Sequence, residues 1–595
     1  MASKFHPYII NPKIAIVGRL LNYFQNPEMK TLPSSCTILV AEFDYQGMRE
    51  LIHFVSKALR TGAGVNVHLD SFMPALGFPS IGECIIGLHP DHPEYTQDCP
   101  NSLAYSEAIP VSDSMEEENQ VWPEHLEFAQ RPSVSIENAL WHAWVAGCGG
   151  YNVEFDLSAL RPPNMPNSTG MVSSGAMSFA GWIKAAYEFG HKQTIESLLA
   201  FLSSFNGTLL RGGHYKGGAI TTSLPVWHTS ANNYLKVPKE AHPWLKKGLT
   251  LSSDYHLFAL DELIIAEVNY GSLWLEKAVV QKPWGYRWLA SSNPKIGDRL
   301  RSNVCREIQI RSRATCDLSH GNLGMIKRFE ELPEMLVETT RMLCELKAMG
   351  AQDTAGIYLP ASEDKQIGVG LIGLSNLLAR FEINYSEHVA GLKQVIKGLG
   401  KSTINQASHG AILLPSLEQT FSSYELSKWQ TYDSLQLAWW LIKAYTEASK
   451  VARSYGMERV FCIAPTANSS FRYVDLEGYS TSPEISPPIN LEIERLSETL
   501  SEETDVFFYN PKAETASEVG WETYKQLVEV YQELFNATGL GHSISFNIWE
   551  PINSEFLDWY DGSEVLTTYY RISVDQSYLN KASQFGDAVQ CECAG

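Results

Sequence analysis

Apolar residues recur at i, i+3 and i+4 through four long stretches of the chain. They are SFAGWIKAAYEFGHKQTIESLLAFLSSF (178–205), FEELPEMLVETTRMLCELKAM (329–349), DSLQLAWWLIKAYTEASKVARSYG (433–456) and WETYKQLVEVYQELFNATG (521–539). That spacing gives each an apolar stripe along one face of a helix. A fifth amphipathic stretch, YQGMRELIHFVSKALRTGAG, follows the β-branched run CTILVAEFD (36–44) and is stopped by glycine. Short strand-like runs lie between the helices: GVNVHL (64–69), RVFCIAP (459–465), HSISFNI (542–548) and VLTTYYRISV (565–574). Strands alternating with long helices predict an α/β protein with parallel strands. Residues 88–135 break the pattern, being rich in Pro, Ser and acids, and read as an insertion. The end, QSYLNKASQFGDAVQCECAG, is polar and aperiodic, which predicts a mobile tail over 576–595.

Composition narrows the function classes. With 595 residues, 44% of them hydrophobic, the chain can bury a large core. A net charge of −21 argues against a nucleic-acid-coating surface. No apolar run is long enough to span a bilayer, and the opening MASKFHPYII lacks a signal layout, so a soluble, cytoplasmic protein is expected. The ten cysteines are scattered, with no CxxC pair or Cys/His ladder to suggest a metal site. In a reducing compartment they are expected to act as thiols.

Four short stretches could carry chemistry. GVGLIG (368–373) has GxGxxG spacing, but EDKQI before it is a poor strand. A close-packed turn entering the helix LSNLLARF is the better account. RGGHYKGGA (211–219) sets Arg211 and Lys216 among glycines, among them Gly212 and Gly213. It suits either close backbone approach to a ligand or a flexible surface loop. IAPTANSSF (463–471) turns at Pro465 and offers Thr466, Ala467, Asn468, Ser469 and Ser470 in succession. That arrangement suits a phosphate or a plain capping turn. In SNVCREI (302–308) the residues Asn303, Cys305 and Glu307 alternate, so an extended segment would point all three to one side.

Taken in order, these motifs resemble the catalytic large subunit of ribonucleotide reductase from Cys36 to the C-terminus. PSSCTILVAEFD resembles the segment with one substrate-reducing cysteine, Cys36, next to a substrate-binding Ser35. TCDLSHGNLG resembles the segment with the second, Cys316. RGGHYKGGA resembles the specificity loop and SNVCREI the finger loop. RTGAGVN, SSGAMSF and GVGLIGLSNLL are similar to barrel segments, and IAPTANSS to the substrate phosphate loop.

The resemblance implies a ten-stranded α/β barrel, built of two five-stranded parallel halves around a central finger loop and spanning 36–575. It implies a thiyl radical on Cys305, a general base in Glu307, and sugar orientation by Asn303. Cys36 and Cys316 would end each turnover as a disulfide. Tyr569 and Tyr570 resemble the adjacent tyrosines of class I enzymes, which relay a radical from a ferritin-like small subunit holding a dinuclear iron or manganese centre. On a strand, by contrast, neighbours face opposite ways. The alternative is a class II enzyme that uses adenosylcobalamin and needs no small subunit. Ribonucleoside diphosphates are the expected substrates, with no cofactor bound in this chain.

Only 35 residues precede Cys36, so no N-terminal ATP-cone is expected. An effector site for dNTP or ATP that controls substrate choice is expected at Asp44 and the 211–216 loop, with an effector-promoted homodimer around it. Cys591 and Cys593 resemble the tail thiols that pass electrons from a thioredoxin- or glutaredoxin-like partner. Here only Glu592 separates them.

Overall fold

The computed structural model describes residues 2–25, 32–34, 36–40, 64–68, 210–211, 216–217, 220–226, 231–242, 245–251, 260–277, 279–282, 285–288, 299–303, 308–398, 433–496, 504–563 and 565–570, together with Phe54 and Ala58. In chain order the strands begin with β1 (Ile14–Ile16), β2 (Cys36–Val40), β3 (Gly64–His68), β4 (Leu210–Arg211) and β5 (Lys216–Gly217). Next come β6 (Ile220–Pro225), β7 (Leu245–Leu251), β8 (Leu273–Lys277), β9 (Val279–Lys282) and β10 (Gly285–Trp288). β11 (Arg299–Ser302), β12 (Gln309–Ile310), β13 (Thr315–Cys316), β14 (Leu318–Asn322) and β15 (Gln366–Ile372) follow. The last are β16 (Arg459–Ile463), β17 (Glu492–Leu496), β18 (Thr504–Phe508), β19 (Gly541–Ile548) and β20 (Thr567–Tyr570).

Nine strands form the main sheet, in the order β1-β14-β15-β16-β19-β20-β8-β7-β6. Within it β14, β15, β16, β19 and β20 are mutually parallel, which makes one complete five-stranded parallel half. β8, β7 and β6 form a second parallel run, joined to the first by the antiparallel β20–β8 pair. Among the described residues the order runs from β1, which lies before the expected barrel span, at one edge to β6 at the other, and closure of the sheet is not among the described pairings. The first 35 residues, read as a leading segment, supply β1, which pairs antiparallel with β14.

Helices join the parallel strands as crossovers and cover them. Leu332–Ala348 lies between β14 and β15, Ser434–Ser454 precedes β16, and Trp521–Thr538 precedes β19. The first two pack on one another. Each matches the apolar periodicity of its sequence. Asp433 caps Ser434–Ser454 by accepting from the Gln436 N–H at 2.9 Å, and Gly539, at φ 67°, ends Trp521–Thr538. With helices on the outside, all residues of β15 and β16 are buried, as expected of central parallel strands.

β15 overturns one expectation. The glycine run is not a turn: it lies inside the strand QIGVGLI, and only Gly373, at φ 77°, caps the helix Leu374–Phe381. A Cβ on Gly368 would lie 2.7 Å from Leu318 Cδ1, and one on Gly370 2.6 Å from His320 Cδ2. The glycines make room for large side chains of the neighbouring strand β14, a use of glycine that strand propensity does not reveal.

Candidate active site

Cys36 and Cys316 meet across a β-ladder. β13 pairs antiparallel with β2 in the register Thr315↔Thr37 and Cys316↔Cys36. Directly opposed residues in such a ladder have Cα atoms about 4.5–5.5 Å apart, inside the range a disulfide accepts. Both side chains are buried. Cys316 is a thiol, whereas Cys36 is disulfide-bonded to a residue outside the described ones. On its other side β2 pairs parallel with β3, which puts Gly64 beside Cys36. The register is fixed by side chains as well as by the ladder. The Ser34 hydroxyl donates to Asp317 Oδ1 at 2.8 Å, and the Thr37 hydroxyl to the Ala314 carbonyl at 2.8 Å.

Asn303 closes a hairpin. β11 and β12 pair antiparallel with Ser302 opposite Gln309. Beyond them the Asn303 N–H donates to the Ile308 carbonyl at 3.0 Å, and the Ile308 N–H donates to Asn303 Oδ1 at 3.2 Å. Cys305 and Glu307 fall on the connecting residues 304–307, outside the described ones. The buried Asn303 carboxamide oxygen turns onto the returning strand, as asparagine does where its side chain competes with regular pairing.

The turn after β16 has a partner that its sequence did not suggest. Ala467–Ser470 is a single helical turn, and the Ser470 N–H donates to the Thr466 carbonyl at 2.7 Å. Pro465 is half-buried, Ser469 and Ser470 are buried, and the side chains of Ala467 and Asn468 are outside the description. Thr466 is held by Glu484: its N–H donates to Glu484 Oε1 at 2.5 Å and its hydroxyl at 3.1 Å, while the Glu484 N–H donates to the Thr466 hydroxyl at 2.9 Å. The other carboxylate oxygen accepts from the Ser486 hydroxyl at 3.1 Å and Asn547 Nδ2 at 2.7 Å. Glu484 is 2% exposed and sits in the left-handed region at φ 45°. Residues 481–488 around it are all buried without regular structure. This polar strap links the ends of β16 and β19. The one signal for it in the sequence was the three prolines within STSPEISPP, Pro483, Pro487 and Pro488, which argue against helix or central strand.

The remaining expected residues are less constrained. Arg211 and Lys216 are opposite one another in the β4–β5 pair, and Gly212 and Gly213 lie outside the described residues. Tyr569 and Tyr570 end β20, opposite Asn547 and Ile548 of β19; their side chains are outside the description. Ser35, Asp44, Cys591, Cys593 and the 88–135 insertion also lie outside it. Among the described residues no cluster of three or more His, Cys, Asp or Glu could hold a metal ion, and no helix is long and apolar enough to cross a membrane.

Comparisons with known proteins bear on this arrangement. Residues 290–517, which include β11, β12, Cys316, β15, β16 and the strap, match the family described as "Ribonucleotide reductase, barrel domain". No curated protein sequence matches the chain. Among solved structures, the Actinobacillus ureae class Id ribonucleotide reductase alpha subunit is similar at 12% identity and a TM-score of 0.47, over 98% of this chain and 91% of that one. The likeness that carries weight is the family match alone, and it covers residues 290–517: that stretch of the chain is similar to the ribonucleotide reductase barrel domain.

Proposed function

We propose that the chain is the catalytic subunit of a class I ribonucleotide reductase that reduces ribonucleoside diphosphates. The observation that carries this is the register of Cys36 opposite Cys316, two cysteines 280 residues apart in sequence brought to one ladder. A dithiol so placed can supply what the reaction consumes. The ribose C2′–O bond breaks, a C2′–H bond forms, the oxygen leaves as water, and the two thiols lose two protons and two electrons as their S–S bond forms.

In this reading Cys305, carried by the hairpin that Asn303 and Ile308 close, takes the 3′ hydrogen as a thiyl radical. Glu307 accepts the 3′-OH proton. The turn Pro465–Ser470, with Ser35, holds the phosphate. Tyr570 and Tyr569 pass the radical from a ferritin-like small subunit. Cys591 and Cys593 reduce the Cys36–Cys316 disulfide by thiol exchange, and are themselves reduced by a thioredoxin- or glutaredoxin-like protein. Nucleoside triphosphate effectors act at Asp44 and the 211–216 hairpin.

The test is a reductase assay with dithiothreitol as reductant, run with a metal-loaded small subunit or with adenosylcobalamin and no partner. Turnover with the small subunit, lost in Cys305→Ser and in Tyr570→Phe, is the expected result. Turnover with adenosylcobalamin alone would replace class I by class II. Full activity of Cys305→Ser would end the thiyl assignment.

A further inference from the structure

β13 is only two residues long, yet the reducing pair depends on its register. A slip of one residue would put Thr315 or Asp317 opposite Cys36 and turn the Cys316 thiol to the other face. Two ladder residues are a weak specification of register, and a buried charge cluster grips both neighbours of Cys316. Lys347, on the Leu332–Ala348 helix, pairs with Asp317 Oδ2 at 3.1 Å and with Asp364 Oδ2 at 2.8 Å, all three side chains being at most 2% exposed. The Lys347 ammonium also donates to the Thr315 hydroxyl at 2.7 Å. Asp364 Oδ2 accepts from the Thr315 N–H at 2.9 Å and from its hydroxyl at 2.6 Å. On the other flank, Asp317 Oδ1 accepts from the Ser34 hydroxyl at 2.8 Å, and the Asp317 carbonyl accepts from the Gly368 N–H at 2.7 Å.

Burial alone would push the Lys347 ammonium down, but the two carboxylates outweigh it and hold its titration above the ordinary lysine range. The lysine is therefore charged, and so fit to bridge two acids. A buried ion cluster is a poor source of stability, because desolvation of its charges offsets their attraction. Its place on both sides of one cysteine gives it a different use.

We propose that Lys347, bridging Asp317 and Asp364, is a positioning residue for the redox pair. It holds β13 in the one register that sets Cys316 against Cys36, and so biases the pair toward disulfide. This rests on reading the two cysteines as the dithiol that reduces the ribonucleotide, with the bond changes given above.

The test uses the full chain equilibrated in glutathione redox buffers, with the Cys36–Cys316 disulfide quantified by mass spectrometry of the linked peptides. Lys347→Met is expected to shift the equilibrium toward the dithiol by about ten-fold, or ~30 mV. Lys347→Arg should restore most of it. Ser34→Ala and Asp364→Asn, which perturb the cluster more gently, should each shift it by about three-fold, and they decide the matter if Lys347→Met does not fold. Folded Ser34→Ala and Asp364→Asn variants with the wild-type equilibrium overturn the proposal, even if their melting temperatures fall. The outcome is separable from that of the reductase assay. A Lys347-dependent equilibrium in a protein without reductase activity sinks the function and leaves the clamp standing. An active enzyme with an unmoved equilibrium does the reverse.

Discussion

Replacing Glu484 by alanine removes the acceptor for four hydrogen bonds at once: the Thr466 N–H and hydroxyl, the Ser486 hydroxyl and Asn547 Nδ2. The two hydroxyls can rotate to other acceptors. The Thr466 N–H cannot, and a buried donor left unsatisfied costs about 1–3 kcal/mol, whereas Asn547 Nδ2 keeps the Ser486 hydroxyl as an acceptor at 2.9 Å. Relief from burying a carboxylate offsets part of this, while the left-handed backbone at φ 45° stays strained because alanine keeps its Cβ, which leaves a net loss of about 2 kcal/mol. Glu484→Gln is the informative control. Its new NH2 group would face a donor at one end, but the buried Asn547 Oδ1 has no hydrogen-bond partner. A flip of the Asn547 amide supplies the missing acceptor, so glutamine should cost only about 1 kcal/mol. Equilibrium urea unfolding at neutral pH reads both values, with the m-value checked for constancy. If alanine is tolerated within about 0.5 kcal/mol, or glutamine is as damaging as alanine, the strap is not held as described. With substrate, the alanine variant should lose affinity more than turnover, since Thr466 belongs to the turn proposed to hold the phosphate.

Other perturbations test separate parts of the fold. Burial pushes the His320 and His388 imidazoles down to about 3, whereas in the unfolded chain they return to ~6.5. The unfolded state then binds more protons below pH 6.5. Stability is full above that pH and falls as pH drops toward 3, with the pair together losing ~4 kcal/mol by pH 5; an NMR imidazole titration above pH 5 for either residue in the folded protein would contradict this. Gly370→Ala places a Cβ 2.6 Å from His320 Cδ2 and 3.3 Å from the Cys462 carbonyl, and should cost about 2 kcal/mol in a thermal melt. The buried Lys277 ammonium donates to the Tyr560 and Ser563 carbonyls at 2.6 and 2.7 Å and lies 4.5 Å from the centre of the Tyr560 ring. Lys277→Met should therefore speed amide exchange at the end of the Ser554–Gly562 helix, and unchanged protection there would refute the cap.

The sequence by itself determined the local elements whose burial repeats with the backbone. The stripes of Leu332–Ala348, Ser434–Ser454 and Trp521–Thr538 and the apolar runs of β16 and β19 were legible because period and face are properties of consecutive residues. The order of motifs was legible too, and with it the resemblance to a family. What the tertiary structure decided is every relation between distant residues. β15 was missed because Gly368 and Gly370 weaken the strand signal, and their purpose is set by Leu318 and His320 on the neighbouring strand. The buried strap around Glu484 has no period at all; its acid is tolerated because Thr466, Ser486 and Asn547 converge on it from elsewhere in the chain. Cys36 and Cys316 could be named from sequence as thiols, but not set face to face. Their opposition is a matter of ladder register, which depends on backbone pairing and on the buried contacts of Ser34, Asp317 and Lys347, and these exist only once the chain has folded.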